Sequence, residues 1–370
     1  MGSPGTRAGV LISKLNASAQ TTNDPWLHRF AVLTAVITFC LLGIGGLVTS
    51  HEAGMSVPDW PTSYGYNMFA LPIKFWKGGA FFEHSHRLLA SGAGFLTTVL
   101  AVWLWLKDPR KWMRWLGVIA FLLVVAQGVL GGLRVTLKMD NLGVIHGVVA
   151  QSFFILMCAI ALFTSRFWVN WSAGEKMFCV TRGLRTLVLA TTALIFCQLV
   201  LGATMRGQHA GLAIHDFPLA YGKIWPDMSL DAVSRYNAER MDVISENPIT
   251  AFQIILQMVH RIVALAIFIL VTASVWLSWK RLGGKNPLTK LAMFWLALIV
   301  SQIALGTWTI WSNKAADVAT AHVLVGALSL VTGAFWCVIA FRRPMGGIET
   351  VPAKTISGAF GVSPAMAANK

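Results

Sequence analysis

An all-α integral membrane protein is the fold class that this sequence predicts, and three observations predict it. The chain has 370 residues, of which 56% are hydrophobic and only 12% are charged. A typical soluble domain has about 25% charged residues. The apolar residues are concentrated in eight long uncharged runs, and the basic residues are concentrated between alternate runs.

The eight runs predict eight transmembrane helices. Each run is close to the roughly 20 residues that a helix needs to cross the core of a bilayer. Only helices and closed barrels satisfy every backbone polar group in lipid, and these runs are too long and too continuously apolar for barrel strands. The predicted spans are Phe30–Ser50, Leu88–Leu106, Trp115–Leu133, Asn141–Ser165, Thr186–Met205, Ile262–Trp279, Leu291–Ser312 and Val318–Phe341.

The net charge of +15 is distributed as it is in membrane proteins. With the amino terminus inside, the inner segments hold 19 of the 30 basic residues and four acidic ones. The outer segments hold eleven basic and eleven acidic residues. This asymmetry follows the positive-inside rule and argues against a nucleic-acid partner. Because the number of spans is even, both termini are predicted to be cytoplasmic, and the lipid bilayer is the predicted surrounding.

The chain contains the same design twice. The segment AGMSVPDWP at 53–61 returns as AGLAIHDFP at 210–218, and each copy follows an odd-numbered span. His86-Arg87 opens the second span, and His260-Arg261 opens the sixth. Such internal repeats are familiar in membrane proteins. The sequence therefore predicts two pseudo-symmetric four-helix bundles, at 29–170 and 171–345, between flexible cytoplasmic tails at 1–28 and 346–370.

The repeated outer loops contain one aspartate each, Asp59 and Asp216. The Pro and Gly residues around them favour an ordered turn over a helix. In one interpretation each aspartate caps a short turn, which is the commoner role of Asp in such a setting. In the other, each loop covers a group that is bound at the outer face.

Four of the nine histidines fall at the outer ends of even-numbered spans. Placing an ionisable side chain in the lipid core of a membrane costs free energy, so each such residue is a candidate functional residue. A single histidine here would most simply form a hydrogen bond between helices. Four histidines, matched by helix, depth and repeat, indicate a binding function instead. They are His86 and His146 in the first bundle, and His260 and His322 in the second.

Two histidines in a four-helix bundle match the needs of haem iron. Zinc and copper usually take three or four protein ligands, and no third ligand residue recurs in both halves. Haem iron needs only two axial ligands, and a flat apolar porphyrin fits between helices. Arg87 and Arg261 follow two of the histidines and are candidate partners for the haem propionates. Their alternative role is to extend to the membrane interface.

The two halves differ beside the first histidine of each pair. Glu83 lies three residues before His86, whereas Gln257 lies three residues before His260. Residues three apart share a helix face. A carboxylate near a haem can move protons or stabilise a cationic intermediate, and an amide can only form hydrogen bonds. We therefore predict a reactive first half, with Glu83 as the catalytic residue. The alternative is that Glu83 is an exposed residue favoured by the helix dipole.

These features together resemble the haem A synthases, membrane proteins of aerobic bacteria and mitochondria. The resemblance is carried by the AGMSVPDWP loop, EHSHR at 83–87, QMVHR at 257–261 and the spans of His146 and His322. It covers the chain from about Arg29 to Arg343. The family oxidises a methyl group of haem O to a formyl group, which gives haem A for cytochrome oxidase.

The resemblance implies a role for each histidine pair. It implies that His86 and His146 are the axial ligands of the substrate haem O, and that His260 and His322 bind a haem b cofactor. It also implies haem O synthase and cytochrome oxidase assembly factors as candidate protein partners. The residues alone leave another function open, in which a di-haem b cytochrome transfers electrons from quinol. The short amino-terminal tail favours a bacterial plasma membrane over a mitochondrial inner membrane.

Overall fold

The computed structural model of the chain describes residues 24–173, 180–239 and 248–342. These residues form ten α-helices and no β-strand. The helices are α1 (Pro25–Ser50), α2 (Gly79–Lys107), α3 (Lys111–Thr136), α4 (Asp140–Thr164), α5 (Arg166–Ala173), α6 (Arg182–Gly207), α7 (Leu230–Ala238), α8 (Ala251–Leu282), α9 (Pro287–Trp311) and α10 (Ala316–Ala340).

The prediction of eight membrane-spanning helices is confirmed. Within the described ranges, eight helices are long and apolar enough to cross a membrane, and only α5 and α7 are not among them. The predicted tails at 1–28 and 346–370 fall outside the described residues, except for 24–28, where Asp24 caps α1. An aspartate at this position accepts hydrogen bonds from the free N–H groups of the first turn.

Two helices begin well before the apolar run that predicted them. Helix α2 begins at Gly79, nine residues before Leu88, and α8 begins at Ala251, eleven residues before Ile262. The added turns carry polar residues that face the protein interior, among them Glu83 and Gln257, which are both buried. Hydropathy could not detect these turns because it scores polar side chains as exposed to water. Here the polar side chains are buried and form hydrogen bonds with the neighbouring loops instead.

The spanning helices pack in two rings of four. In the first ring, α1 and α3 each pack against both α2 and α4. In the second ring, α6 and α9 each pack against both α8 and α10. The rings meet where α10 packs against α1 and α4, and where α4 packs against α6. These contacts fit the predicted arrangement of two four-helix bundles.

The two largest clusters of buried apolar side chains each fill one end of a ring. We call the other end, where segments 51–78 and 208–250 connect the helices, the loop end. In the first ring the core joins the start of α1 to the end of α2, the start of α3 and the later turns of α4. In the second ring it includes Trp295 and Trp336, which are fully buried far from the loop end. A smaller apolar cluster, which includes Ile214 and Ile254, packs the second loop against the start of α8.

Candidate functional site

The four predicted histidines all lie near the loop end, inside helices. His86 and His146 lie seven and six residues into α2 and α4, and His260 and His322 lie nine and six residues into α8 and α10. At about 1.5 Å per residue, these positions are roughly 9 to 14 Å along the helix axes. The four imidazoles therefore share one level of the molecule, as the sequence predicted.

Each imidazole packs against a glycine of the preceding spanning helix. A methyl group on Gly45 of α1 would lie 3.1 Å from Cε1 of His86, and one on Gly202 of α6 would lie 3.4 Å from Cε1 of His260. The same contact joins Gly131 to His146 at 3.4 Å and Gly306 to His322 at 3.2 Å. The glycine lets the two helices approach and fixes the side on which the ring lies. One Gly–His contact is thus built four times.

The imidazoles of each pair are close enough to act on each other electrostatically, His86 on His146 and His260 on His322. Nδ1 is fully buried without a hydrogen-bond partner in His86, His260 and His322. None of the four Nε2 atoms is fully buried or hydrogen-bonded within the described residues. In each bundle two Nε2 atoms are therefore without a hydrogen-bond partner among the described residues and could bind a metal.

Glutamine side chains fix the backbone at three of the four histidines. Gln198 Nε2 donates to the carbonyl of His260 at 2.9 Å, and Gln302 Nε2 donates to the carbonyl of His322 at 2.7 Å. With the Gln127 amide turned to satisfy its surroundings, its nitrogen donates to the carbonyl of His146 at 3.3 Å. These bonds cross from one helix to its neighbour and hold the histidine at a set height. The counterpart of Gln198 in the first bundle is Leu41, so the carbonyl of His86 has no such bond.

The arrangement fits an iron porphyrin better than a metal ion bound by protein alone. Among the described residues, no three His, Cys, Asp or Glu side chains gather into a metal site. Two imidazoles per bundle satisfy the two axial positions of haem iron, because the porphyrin supplies the other ligands.

Glu83 is a buried residue that fastens the first loop to α2. Its side chain is 4% exposed, so the alternative of an exposed residue at a helix start is wrong. Oε2 accepts a hydrogen bond from the backbone N–H of Val57 at 2.8 Å, and Oε1 accepts one from Arg87 at 2.7 Å. The carboxylate is thus held in one place by a loop N–H group and by a charge partner one turn away.

Gln257 has the same structural role in the second bundle without the charge. Its Oε1 accepts a hydrogen bond from the N–H of Ile214 at 2.7 Å, and Ile214 is the repeat counterpart of Val57. Its Nε2 donates to the carbonyl of Ile214 at 3.3 Å. The predicted difference between the halves is therefore one of charge alone, because both side chains fasten the loop at the same point.

Both arginines that follow the histidines bind loop carbonyl groups. The terminal nitrogens of Arg87 make four hydrogen bonds, to the carbonyls of Val57, Asp59 and Thr62 and to Glu83. Arg261 donates to the carbonyls of Asp216 and Leu219, while its Nε is buried without a partner. Each arginine thus holds its loop over the helix that follows. Their role as propionate partners stays a prediction.

The interpretation of Asp59 and Asp216 as turn-capping residues is confirmed. Asp59 accepts hydrogen bonds from the Thr62 hydroxyl and from the N–H groups of Tyr64 and Gly65. Asp216 accepts the matching pair from the N–H groups of Tyr221 and Gly222. Partial burial by itself would raise the pKa of Asp59, but the three hydrogen bonds outweigh it and hold the pKa below its usual value. Both loops are ordered and built on one plan.

Sequence reasoning missed the residues that position the histidines. The recurrence of Gln127 with Gly131, as Gln302 with Gly306, was a visible signal in the repeat. Its meaning depends on helix pairing, which a single sequence does not show. Arg134 also escaped notice, although it acts electrostatically on both His86 and His146.

Known proteins match this chain along most of its length. The model of the family described as "Cytochrome oxidase assembly protein" matches residues 28–333. The protein named "Heme A synthase" of Halalkalibacterium halodurans is 24% identical over 327 residues, which cover 86% of this chain and 99% of that protein. A protein of the same name from Rhizorhabdus wittichii is 26% identical over 352 residues, covering 86% of this chain and 94% of the relative. The chain therefore belongs to the haem A synthase family of cytochrome oxidase assembly proteins.

Proposed function

We propose that this protein is a haem A synthase, an oxidoreductase that oxidises a methyl group of haem O to a formyl group and so supplies haem A for cytochrome oxidase. The observation that carries the proposal is the pair of matched two-histidine sites, of which only the first has a buried carboxylate beside it. Each bundle offers two imidazoles from neighbouring spanning helices, and only the first adds a carboxylate, Glu83, one turn away. Two haem sites with unequal surroundings suit an enzyme with a substrate haem and a cofactor haem.

In this proposal His86 and His146 are the axial ligands of the substrate haem, and His260 and His322 are those of haem b. The Gly–His contacts support the assignment because each one fixes a ring against its neighbouring helix. Haem iron, when bound, supplies the redox chemistry. The protein residues supply the fixed ligand direction, the closed loop end and the proton acceptor.

Glu83 is the residue that we assign to proton handling in the first bundle. Its carboxylate is held in a fixed place by Val57 and Arg87, on the same helix as His86 and one turn before it. Oxidation of a methyl group releases protons, and a positioned carboxylate accepts them or stabilises a developing positive charge. Gln257 occupies the matching place without a titratable group, so the second bundle can hold haem but cannot share this role.

A di-haem b cytochrome that transfers electrons from quinol is the second candidate. The near-identical hydrogen bonding of the two loops favours it, because equal surroundings suit two permanent haems. Asp59 with Arg87 and Asp216 with Arg261 form the same contacts in the two halves. In that case the difference between Glu83 and Gln257 would have no consequence for activity.

We infer the cellular setting from the charge distribution. The chain is a multi-pass membrane protein. The loop end carries the acid-rich segments and the opposite end carries most of the basic residues, so the loop end faces away from the cytoplasm and both termini face it. The bacterial origin of the matched relatives favours the bacterial plasma membrane over the mitochondrial inner membrane. Haem O synthase and oxidase assembly factors are the protein partners that this setting suggests.

The haem content of the purified protein tests the function. We expect haem b together with haem O or haem A after extraction and chromatography of the detergent-purified, full-length chain. Two equivalents of haem b and nothing else would contradict the enzyme and favour the cytochrome. Protein made in cells that cannot make haem O is the control, because it should lose the second haem type and keep haem b.

Gly306→Ala tests the contact that orients His322. The new methyl group would lie 3.2 Å from Cε1 of His322, so the ring must shift by a few tenths of an ångström. We expect the reduced absorption band of the second haem to shift and haem b to be lost more readily, since overpacking costs about 1–3 kcal/mol. Gly183→Ala in α6 is the control, because its methyl group meets no atom within 4 Å. An unchanged spectrum in both variants would contradict the role of Gly306.

A further inference from the structure

Arg134 lies in the last turn of α3, at the loop end of the first bundle. Its guanidinium group fits between two glycines from different elements. A methyl group on Gly54, in the first loop, would lie 2.5 Å from Nη1 of Arg134. A methyl group on Gly143, in the first turn of α4, would lie 2.9 Å from Nε. Any other residue at either position would displace the guanidinium group, so the fold keeps this space for it.

The charge of Arg134 has almost no partner. Nε is buried without a hydrogen bond, and within the described residues the side chain makes a single ion pair, with Asp140 at 3.7 Å. The Asp140 side chain is 68% exposed and that of Arg134 is 22% exposed. An ion pair of this kind with an exposed, distant partner contributes little. The guanidinium group thus keeps most of its capacity to bind an anion.

A second arginine approaches Arg134 from the other bundle. Arg206, in the last turn of α6, donates to the carbonyl of Gly46 at 2.5 Å and to the Ser50 hydroxyl at 2.9 Å. Both acceptors belong to α1, where Gly45 packs against His86. Arg206 and Arg134 are close enough to repel each other, and neither forms an ion pair with a buried carboxylate of the described residues. Two cations brought together in this way indicate that an anion binds between or beside them.

This pair of arginines belongs to the first bundle alone. Pairing Gly131 with Gly306 places Thr309 opposite Arg134, so the second bundle has a hydroxyl in place of the guanidinium group. Pairing His146 with His322 places Ala319 opposite Gly143, so a methyl group is present where no arginine needs the space. Arg206 itself corresponds to Thr49 in the repeat and points away from its own bundle. The second bundle thus has no equivalent cation pair.

We propose that Arg134 and Arg206 bind the two propionate groups of the porphyrin that occupies the first bundle. The proposal rests on the proposed function, because the porphyrin is the substrate haem held by His86 and His146. Arg134 acts electrostatically on both of these histidines, so the cations border the same space. Arginine binds carboxylate in a planar, two-pronged geometry, which suits a dianionic ligand at a closed site. Arg87 already makes four hydrogen bonds to the loop and Glu83, and its role as a propionate partner stays a separate prediction.

The arginine pair would fix the orientation of the porphyrin in the first site as well as increase its binding affinity. Two axial imidazoles leave a porphyrin free to rotate about the line that joins them. The two propionates lie on one edge of the ring, so anchoring them at the loop end selects a single rotation. Arg134 and Arg206 are thus positioning residues that determine which methyl group is presented for oxidation.

The proposal is tested by comparing the binding of haem O and of its uncharged dimethyl ester to the full-length wild type and the Arg134→Gln variant. Haem O and its dimethyl ester are titrated into wild-type and variant protein made in cells that make no haem O, and binding is followed by absorbance. We expect the variant to bind haem O about 10- to 100-fold more weakly, as for loss of hydrogen bonds to a charged group. We expect it to bind the ester as the wild type does. Arg134→Lys, which keeps the charge, should recover part of the affinity.

Arg114→Gln is the matched control, since it removes a charge from the opposite end of α3 and should leave both affinities unchanged. Equal weakening of haem O and ester binding by Arg134→Gln, or unchanged haem O binding, would overturn the proposal. The haem b spectrum of the second bundle reports whether each variant is folded. If the wild type takes up no haem O, the proposed function fails, and protohaem with its dimethyl ester then serves as the probe pair for the same two arginines.

Discussion

Glu83→Gln is expected to retain both haems and to lose haem A formation by at least about a hundredfold, the lower range for general acid–base groups. The variant keeps the oxygen that accepts the hydrogen bond from Val57, so the first loop should stay fastened. It removes the negative charge and the titratable proton site beside the substrate haem. The measurement is the ratio of haem A to haem O in extracts from cells that produce the variant, together with the spectrum of the purified protein.

The chain itself shows that a glutamine fits at this point. Gln257 accepts the matching hydrogen bond from Ile214 in the second loop, at 2.7 Å compared with 2.8 Å for Glu83 and Val57. Arg87 would lose one of its four bonds and keep three loop carbonyls. Gln257→Glu is the reciprocal control and should leave haem A formation unchanged. Full haem A formation by Glu83→Gln would contradict the proton-handling role of Glu83.

The number of spans was predictable because lipid exposure demands continuous apolar runs, and all eight runs became helices. The starts of α2 and α8 were not predictable from hydropathy. Glu83, His86 and Arg87 lie in helical turns that are polar in sequence but face the interior and the first loop. In such turns the partner of each polar group comes from a distant segment, so a local pattern cannot distinguish helix from loop.

The candidate histidines could be singled out from the sequence, but the residues that pack against them could not. An ionisable residue inside an apolar span costs free energy and is therefore usually functional. The repeat also pairs the four that stand out here, which are His86, His146, His260 and His322. The glycines behind the rings depend on which helices are neighbours and on their relative height. Arg134 shows most clearly what the sequence could not reveal. From its position after the third predicted span, it would be interpreted only as a basic residue at the end of a membrane helix. Its importance comes from Gly54, Gly143 and Arg206, which lie far from it in the chain.

His322→Met is expected to change the spectrum of one haem and leave the other as it is. The Gln302 bond to the backbone at this position and the close approach of Gly306 remain possible, because neither requires the imidazole nitrogens. Methionine is a weaker axial ligand than histidine and raises the reduction potential of haem iron. We therefore expect a shifted reduced spectrum, a higher midpoint potential and easier loss of haem b, measured by absorbance during a redox titration of the purified protein.

His146→Met is the matched control, since it makes the same exchange at the equivalent position of the first bundle. It should change the other haem and leave haem b unchanged. The bundles touch through α4 and α10, the two helices that carry these histidines, so this pair of variants gives the strictest test of independence. If either exchange altered both haems together, the two rings would have to act as one site, and the division into a substrate bundle and a cofactor bundle would be wrong.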